Sequence, residues 1–444
     1  MAPNTLRSLG TSRGTRDAPR SRARTRRPIV QLIDRLRRLP YGWIVVGTLS
    51  ITETVSWGIV YYGFPVFLRP MEQELGASRV AVTGAFSVGL GIAALAAIPV
   101  GRWLDRHGPR ALMTAGSCLA TVLLLVWSRI DSLWALYAVW SGLGFAMAAI
   151  LYEPAFVAVV QWFDRGRDRA MLTLTLAAGL ASTIFMPIEA WLLARLGWRA
   201  TLTTLAVVLA VITIPLHAIA LRPAPKPASG GGTGGAPRVI PGVTLHAASC
   251  TAVFWVLAVA FVVGNFATNS VTVHLIPYLT DRGYSAAVAA ATIGWMGAMQ
   301  LPGRVFFVPV ARWLGPRWVT AGVFWGQAAG VGVIPFVRLL GVAPVVMLLG
   351  ASNGMSTLAR ASVVAEVFGR RHYGAVAGAL ALGANGARAA APVGASLLVI
   401  GLGSYDTLFW TFAAALAIVA GGVLATDTSP RAEMAETTTE SAGR

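Results

Sequence analysis

The chain has 444 residues, 56% hydrophobic and only 12% charged, with a mean hydropathy of +0.66. A soluble surface needs about twice that share of charge, so a water-soluble globular protein is excluded. The formal net charge of +18 does not indicate nucleic acid, because eleven of the 36 basic residues fall in the first 40 and most others in short loops between apolar runs, which places them beside anionic lipid heads in the positive-inside manner of a polytopic membrane protein.

Residues 1–40, with the segment RSRARTRRPIV, form an Arg-rich tail predicted to be disordered. No small-residue cleavage site follows it, so it does not read as a secretory signal. Apolar runs punctuated by Gly, Pro and charge then predict twelve spans, at 42–67, 79–100, 111–128, 132–161, 170–192, 200–221, 248–276, 286–309, 317–337, 343–367, 374–400 and 406–425. Their lengths suit a hydrocarbon core of about 30 Å. A Pro/Gly-rich linker, RPAPKPASGGGTGGAPRVIPG, lies between spans six and seven. The expected organisation is a bundle at 41–221, a linker at 222–247, a second bundle at 248–425 and a tail at 426–444. Cys118 and Cys250 both lie in apolar runs and imply neither a disulfide framework nor a metal site.

The second half repeats landmarks of the first. PVGRWLDRHGPR at 99–110 returns as PVARWLGPR at 309–317, each a tight basic loop between two apolar helices. FPVFLRPMEQELGASRVAV after span one parallels IPYLTDRGYSAAVAA after span seven, and WFDRGRDRA after span four parallels VFGRRHYGA after span ten. A duplicated set of membrane-length helices is the pattern of a secondary transporter, with two pseudo-symmetric six-helix bundles around a central cavity. With both termini inside, the inner loops carry thirteen Lys and Arg against seven outside, before the N-terminal tail is counted. Both termini are therefore expected in the cytoplasm, and the near-exclusive use of Arg over Lys suggests a bacterial inner membrane.

With these features the chain resembles the major facilitator superfamily over essentially all of its length after residue 40. The first basic loop matches that superfamily's G-x-x-x-D-R-x-G-x-R motif at Gly101, Asp105, Arg106, Gly108 and Arg110. The resemblance implies that these residues form a conformational latch, with Asp105 holding neighbouring helix ends together partly through a helix N-terminus. The second copy has lost the DRH triplet, so a weaker latch is expected there. Within the superfamily the chain is similar to the monocarboxylate-porter and oxalate/formate-antiporter branch, through Tyr41-Gly42-Trp43, Trp162-Phe163 with RGRDRA, and Gln300-x-x-x-Arg304. It departs from that branch at Gln300, where animal members carry an acid, and at Glu53, where some carry a lysine. Span five lacks the G-P-x-x-G-G pattern of drug/proton antiporters.

Six ionisable residues fall inside spans: Glu53, Glu153, Glu189, Arg304, Arg360 and Arg388. Each costs roughly 2.5–3.5 kcal/mol near a helix centre, so each is expected to face a cavity or a partner. The acids lie in the first half and the arginines in the second, which predicts an acidic and a basic wall. An Arg fork matches the two oxygens of a carboxylate, so Arg304 and Arg388, with Gln300, Tyr61, Asn269 and Asn353, are the candidate substrate-binding residues. A carboxyl held away from bulk water can exchange a proton as its partners change, which makes Glu53 and Glu153 the candidate proton carriers. Arg360, near the inner end of span ten, also reads as a cytoplasmic anchor, and Glu189, near the outer end of span five, as solvated. The polar stripes Glu53/Trp57/Tyr61, Asn265/Asn269/Thr272 and Asn353/Thr357/Arg360 point to the same cavity, and His274 reads as structural.

The expected activity is proton-coupled movement of a small, monocarboxylate-like organic anion by alternating access, through a monomer in the bilayer. The alternative is a proton-driven efflux pump for drugs or other small metabolites. No phosphate-binding loop, metal-ligand cluster or nucleophile–base pair is present in the sequence, so neither an enzyme nor a cofactor is expected.

Overall fold

The computed structural model describes residues 41–163, 166–222 and 242–426. Both tails, most of the linker, and Asp164 and Arg165 lie outside the described residues. The described residues form twelve spanning helices. In the first half these are α1 (Tyr41–Glu74), α2 (Arg79–His107), α3 (Pro109–Trp127), α4 (Leu133–Trp162), α5 (167–196) and α6 (198–220). In the second half they are α7 (Ala252–Asp281), α8 (286–314), α9 (Arg317–Leu340), α10 (Ala343–Val367), α11 (Tyr373–Leu402) and α12 (Tyr405–Ala425).

Nine helical stretches among the described residues are long and apolar enough to cross a membrane. One of them, Arg167–Ala220, holds both α5 and α6, which meet at the non-helical Gly197. The spans outside those nine stretches, α8 and α10, carry Gln300, Arg304, Asn353 and Arg360 and are less apolar for it.

The duplication persists in local geometry. Ser78 caps α2 by accepting from Ala81 N, and Ser285 caps α8 by accepting from Val288 N. Gly108 turns α2 into α3 at φ 74°, and Gly315 turns α8 into α9 at φ 79°. This region of backbone space strains residues with a Cβ, so the glycine in the G-P-R ending of each basic loop is a steric requirement. Span seven begins at Ala252 rather than 248, because Thr251 caps it while Leu245–Ser249 form a separate short helix.

The core of the first half is aromatic: Trp140 packs on Phe64 and Trp127 with ring centroids 5.0 and 5.1 Å apart. At the end carrying the basic loops, Tyr41 packs against Trp162 at 5.2 Å and Trp43 meets Phe163 at 5.4 Å. The two aromatic motifs, 120 residues apart in sequence, are thus one contact between α1 and α4.

The halves meet along α2–α11 and α5–α8. Small residues allow the first approach: a Cβ on Gly101 would collide with the Gly374 carbonyl, and one on Gly378 with the Ala97 carbonyl. The small residues of span eleven therefore serve close helix packing.

Candidate functional site

Two helices of the first half are irregular at mid-height. α1 passes through a π-helical segment at Trp57–Tyr62. α4 breaks at Leu151, whose φ/ψ of −93°/−162° interrupts the helix before it restarts at Tyr152. Pro154 accounts for the break, because a proline ring clashes with the carbonyl four residues earlier, here that of Ile150. Glu153 thereby sits in the first turn of a new helix segment, beside the π segment of α1.

Between the halves lies a cavity of about 370 Å³. Its first-half wall is aromatic, with Trp57, Tyr61, Tyr62 and Tyr152. Its second-half wall is polar, with amides from α7, α8, α9, α10 and α11 and the arginines Arg360 and Arg388. Arg360 pairs with Glu153 at 2.7 Å across the two halves. It is therefore a cavity residue joined to the opposite bundle, rather than only an anchor at the helix end. Arg388 donates to Asn265 Oδ1 at 3.3 Å and has no carboxylate partner among the described residues.

Of the expected substrate residues, Arg388, Gln300, Tyr61, Asn269 and Asn353 line this cavity. Arg304, one turn beyond Gln300, is not in its lining. It is almost completely buried and donates to the Thr175 carbonyl of α5. α5 has a helix break after Gly179, and a Cβ at Gly179 would strike the Arg304 guanidinium. Glu153 lines the cavity, whereas Glu53 lies behind it, fully buried, with Trp57 Nε1 donating to its Oε2 at 3.0 Å and its Oε1 unpartnered. The expected acidic and basic walls thus reduce at the cavity surface to one neutralised pair and one unpaired arginine.

Glu189 is not solvated as expected. It is fully buried against α1 near Gly63, and neither carboxyl oxygen has a partner among the described residues. His274 is held by Tyr405 and the Pro392 carbonyl, both at 3.2 Å, in keeping with a structural role.

Sequence reasoning left α9 out of the cavity. Gln327 reaches it nonetheless, donating to Asn353 Oδ1 at 3.0 Å with its own Oε1 buried and unpartnered. Gly264 makes room for it, since a Cβ there would lie 3.1 Å from Gln327 Oε1. A lone amide within an apolar span was the available signal.

The latch residues assemble at the basic-loop end. Asp105 accepts from the backbone N–H groups of Gly374 and Ala375, at 2.7 and 2.8 Å, at the start of α11. Gly101 lies against the Gly374 backbone, and Gly108 makes the turn. Arg106 and Arg110 are exposed. Beside the second copy, Ser362 donates to Asp168 at 2.9 Å. Near the start of α11, Arg370 donates to the Val160 and Gln161 carbonyls at 2.8 and 2.9 Å. Further from this end, Arg304 and Arg360 also join the two halves, donating to the Thr175 carbonyl and to Glu153.

Comparison with known proteins places these features. Monocarboxylate transporter 13 of Bos taurus is 27% identical over 348 residues, covering 74% of this chain and 76% of that protein. The oxalate:formate antiporter of Oxalobacter formigenes is 25% identical over 327 residues, covering 71% and 76%. Among solved structures, the human organic anion transporter MFSD10 (TETRAN) superposes with a TM-score of 0.70 at 15% identity over 87% of this chain and all of that one. The E. coli fucose:proton symporter gives 0.65 at 12% identity over 86% and 98%. The model of the Major Facilitator Superfamily matches residues 49–357. The chain therefore belongs to the Major Facilitator Superfamily, as a transporter and not an enzyme, related to the monocarboxylate transporters and the oxalate:formate antiporter.

Proposed function

We propose that the protein is a secondary active transporter that carries a small organic monocarboxylate, coupled to protons, by alternating access. The observation that carries this reading is Arg388, a guanidinium in the cavity wall with no carboxylate partner among the described residues. Such a cation is costly inside a membrane unless a ligand or water compensates it, and its planar fork matches a carboxylate. Asn265 orients it, while Gln300, Asn269, Asn353 and Tyr61 supply hydrogen-bonding groups around it. The names of the relatives, a monocarboxylate transporter and an oxalate:formate antiporter, favour the same class.

Proton coupling is assigned to Glu53 and Glu153. Glu153 is tied to Arg360 across the halves, so protonating it would weaken that tie as the halves separate. Glu53 sits behind Trp57, where a change of charge alters the hydrogen bond that orients the cavity ring. The protein works as a monomer with both termini cytoplasmic in a bacterial inner membrane, so that the end held by Asp105 faces the cytoplasm.

Uptake of a labelled monocarboxylate panel into proteoliposomes, with and without a pH gradient, tests the reading. Acid uptake should respond to the gradient. Arg388→Gln should lower it at least about tenfold, the range of a lost charge-assisted hydrogen bond, and Glu53→Gln should flatten its pH dependence. Movement of cationic dyes with no movement of any acid would instead establish efflux.

A further inference from the structure

Resting on the reading of this cavity as a carboxylate site, we propose that its substrate is an aromatic monocarboxylate, with the ring against the α1/α4 wall and the single carboxylate on Arg388. The wall is a continuous ring cluster centred on Trp57, whose centroid lies 4.9 Å from Tyr61, 5.0 Å from Tyr152 and 6.2 Å from Tyr62. The π segment is what assembles it. In regular α geometry a residue five positions on is turned about 140° away from Trp57. A π turn, bonded i to i+5, brings Tyr62 back beside Tyr61 under the same indole. A planar apolar body finds there the offset and edge-to-face contacts that aromatic groups prefer.

Charge limits the ligand to one carboxylate. Arg360 is neutralised by Glu153 at 2.7 Å, so Arg388 alone among the described cavity arginines lacks a counter-ion. A second carboxylate would be desolvated with no cation to receive it. The same excess positive charge disfavours an organic cation, which rings alone would otherwise attract.

Size points the same way. The cavity's volume of about 370 Å³ corresponds to about a dozen water molecules. A two- or three-carbon acid held on Arg388 would leave the ring wall wet, whereas an aryl acid removes that apolar surface from water.

Equilibrium binding of three acids to the purified full-length protein tests this directly. Acetate carries one carboxylate and no ring, phenylacetate one carboxylate and a ring, and phthalate two carboxylates on a ring. Phenylacetate should bind about tenfold or more tighter than acetate and than phthalate. Trp57→Ala and Tyr61→Ala should erase the advantage over acetate. Trp57→Phe should keep it, because the ring remains while the bond to Glu53 is lost. Acetate binding as tightly as phenylacetate, with both lost in Arg388→Gln, would overturn the aromatic assignment and leave the carboxylate reading standing. Phthalate binding as tightly as phenylacetate would overturn the single-charge assignment. Phenylacetate binding unaltered by Arg388→Gln would overturn both this inference and the reading beneath it.

Discussion

Glu153 and Arg360 meet at 2.7 Å with only 20% and 16% of their side chains exposed, so each holds the other's charge in a partly dry wall. Removing one partner of a buried pair costs more than the pair contributes, because the remaining charge stays behind without compensation. Glu153→Gln is expected to leave a second unpaired guanidinium in the cavity. Two consequences follow from the same change of charge. Thermal stability in detergent should fall by about 1–3 kcal/mol, less than for a fully dry pair because water reaches both groups. Phthalate should gain affinity relative to phenylacetate, since its second carboxylate now meets a cation. A variant that lost stability without that gain would reduce Arg360 to a structural tie.

The helices themselves were legible from hydropathy, because a bilayer admits few alternatives to an apolar helix. The repeated basic loop was legible too, since Gly108 and Gly315 are demanded by positive φ. What the sequence conceals is where helices bend. Pro154 signalled the interruption of α4, but WGIVYY carries no proline and still forms the π segment of α1. Arg304 looked like a cavity residue from its spacing to Gln300. It left the lining because α5, interrupted after Gly179, offers it the Thr175 carbonyl. Glu189 looked exposed at a span end, yet α5 presses it onto α1 at Gly63, where the missing Cβ leaves room for a carboxyl. That contact is testable between helices. A Cβ at Gly63 would lie 3.0 Å from Glu189 Oε1, so Gly63→Ala should destabilise the protein. In a Glu189→Ala background it should be neutral or stabilising, since Ala is the better helix former. The expected coupling is about 1 kcal/mol by double-mutant cycle in thermal unfolding, and additive effects would show that the two helices do not share this contact.

At the scale of the whole molecule, the two halves are duplicated in fold but not in how they lock. α11 begins at Tyr373, and His372 before it supplies no side-chain cap. Asp105 from the other half supplies one, accepting two backbone N–H groups where the helix end favours negative charge. The second basic loop lacks the DRH triplet before Gly315, and the contacts beside it pass through Ser362 and Asp168 instead. One end of the molecule is thus held by a carboxylate on α2 with no counterpart on α8. Asp105→Asn removes the charge and leaves one acceptor for two donors. A charge-assisted hydrogen bond contributes about 1.5–3 kcal/mol, so the population open at this end should rise about tenfold or more. Cys118 and Cys250 are exposed, so both are first replaced by Ser, and a single cysteine is placed at Thr357 in the cavity wall. A membrane-impermeant thiol reagent supplied from the basic-loop side should then label Asp105→Asn about tenfold faster than the parent. Equal labelling rates would mean that close packing at Gly101 and Gly374, rather than the carboxylate, keeps that end shut.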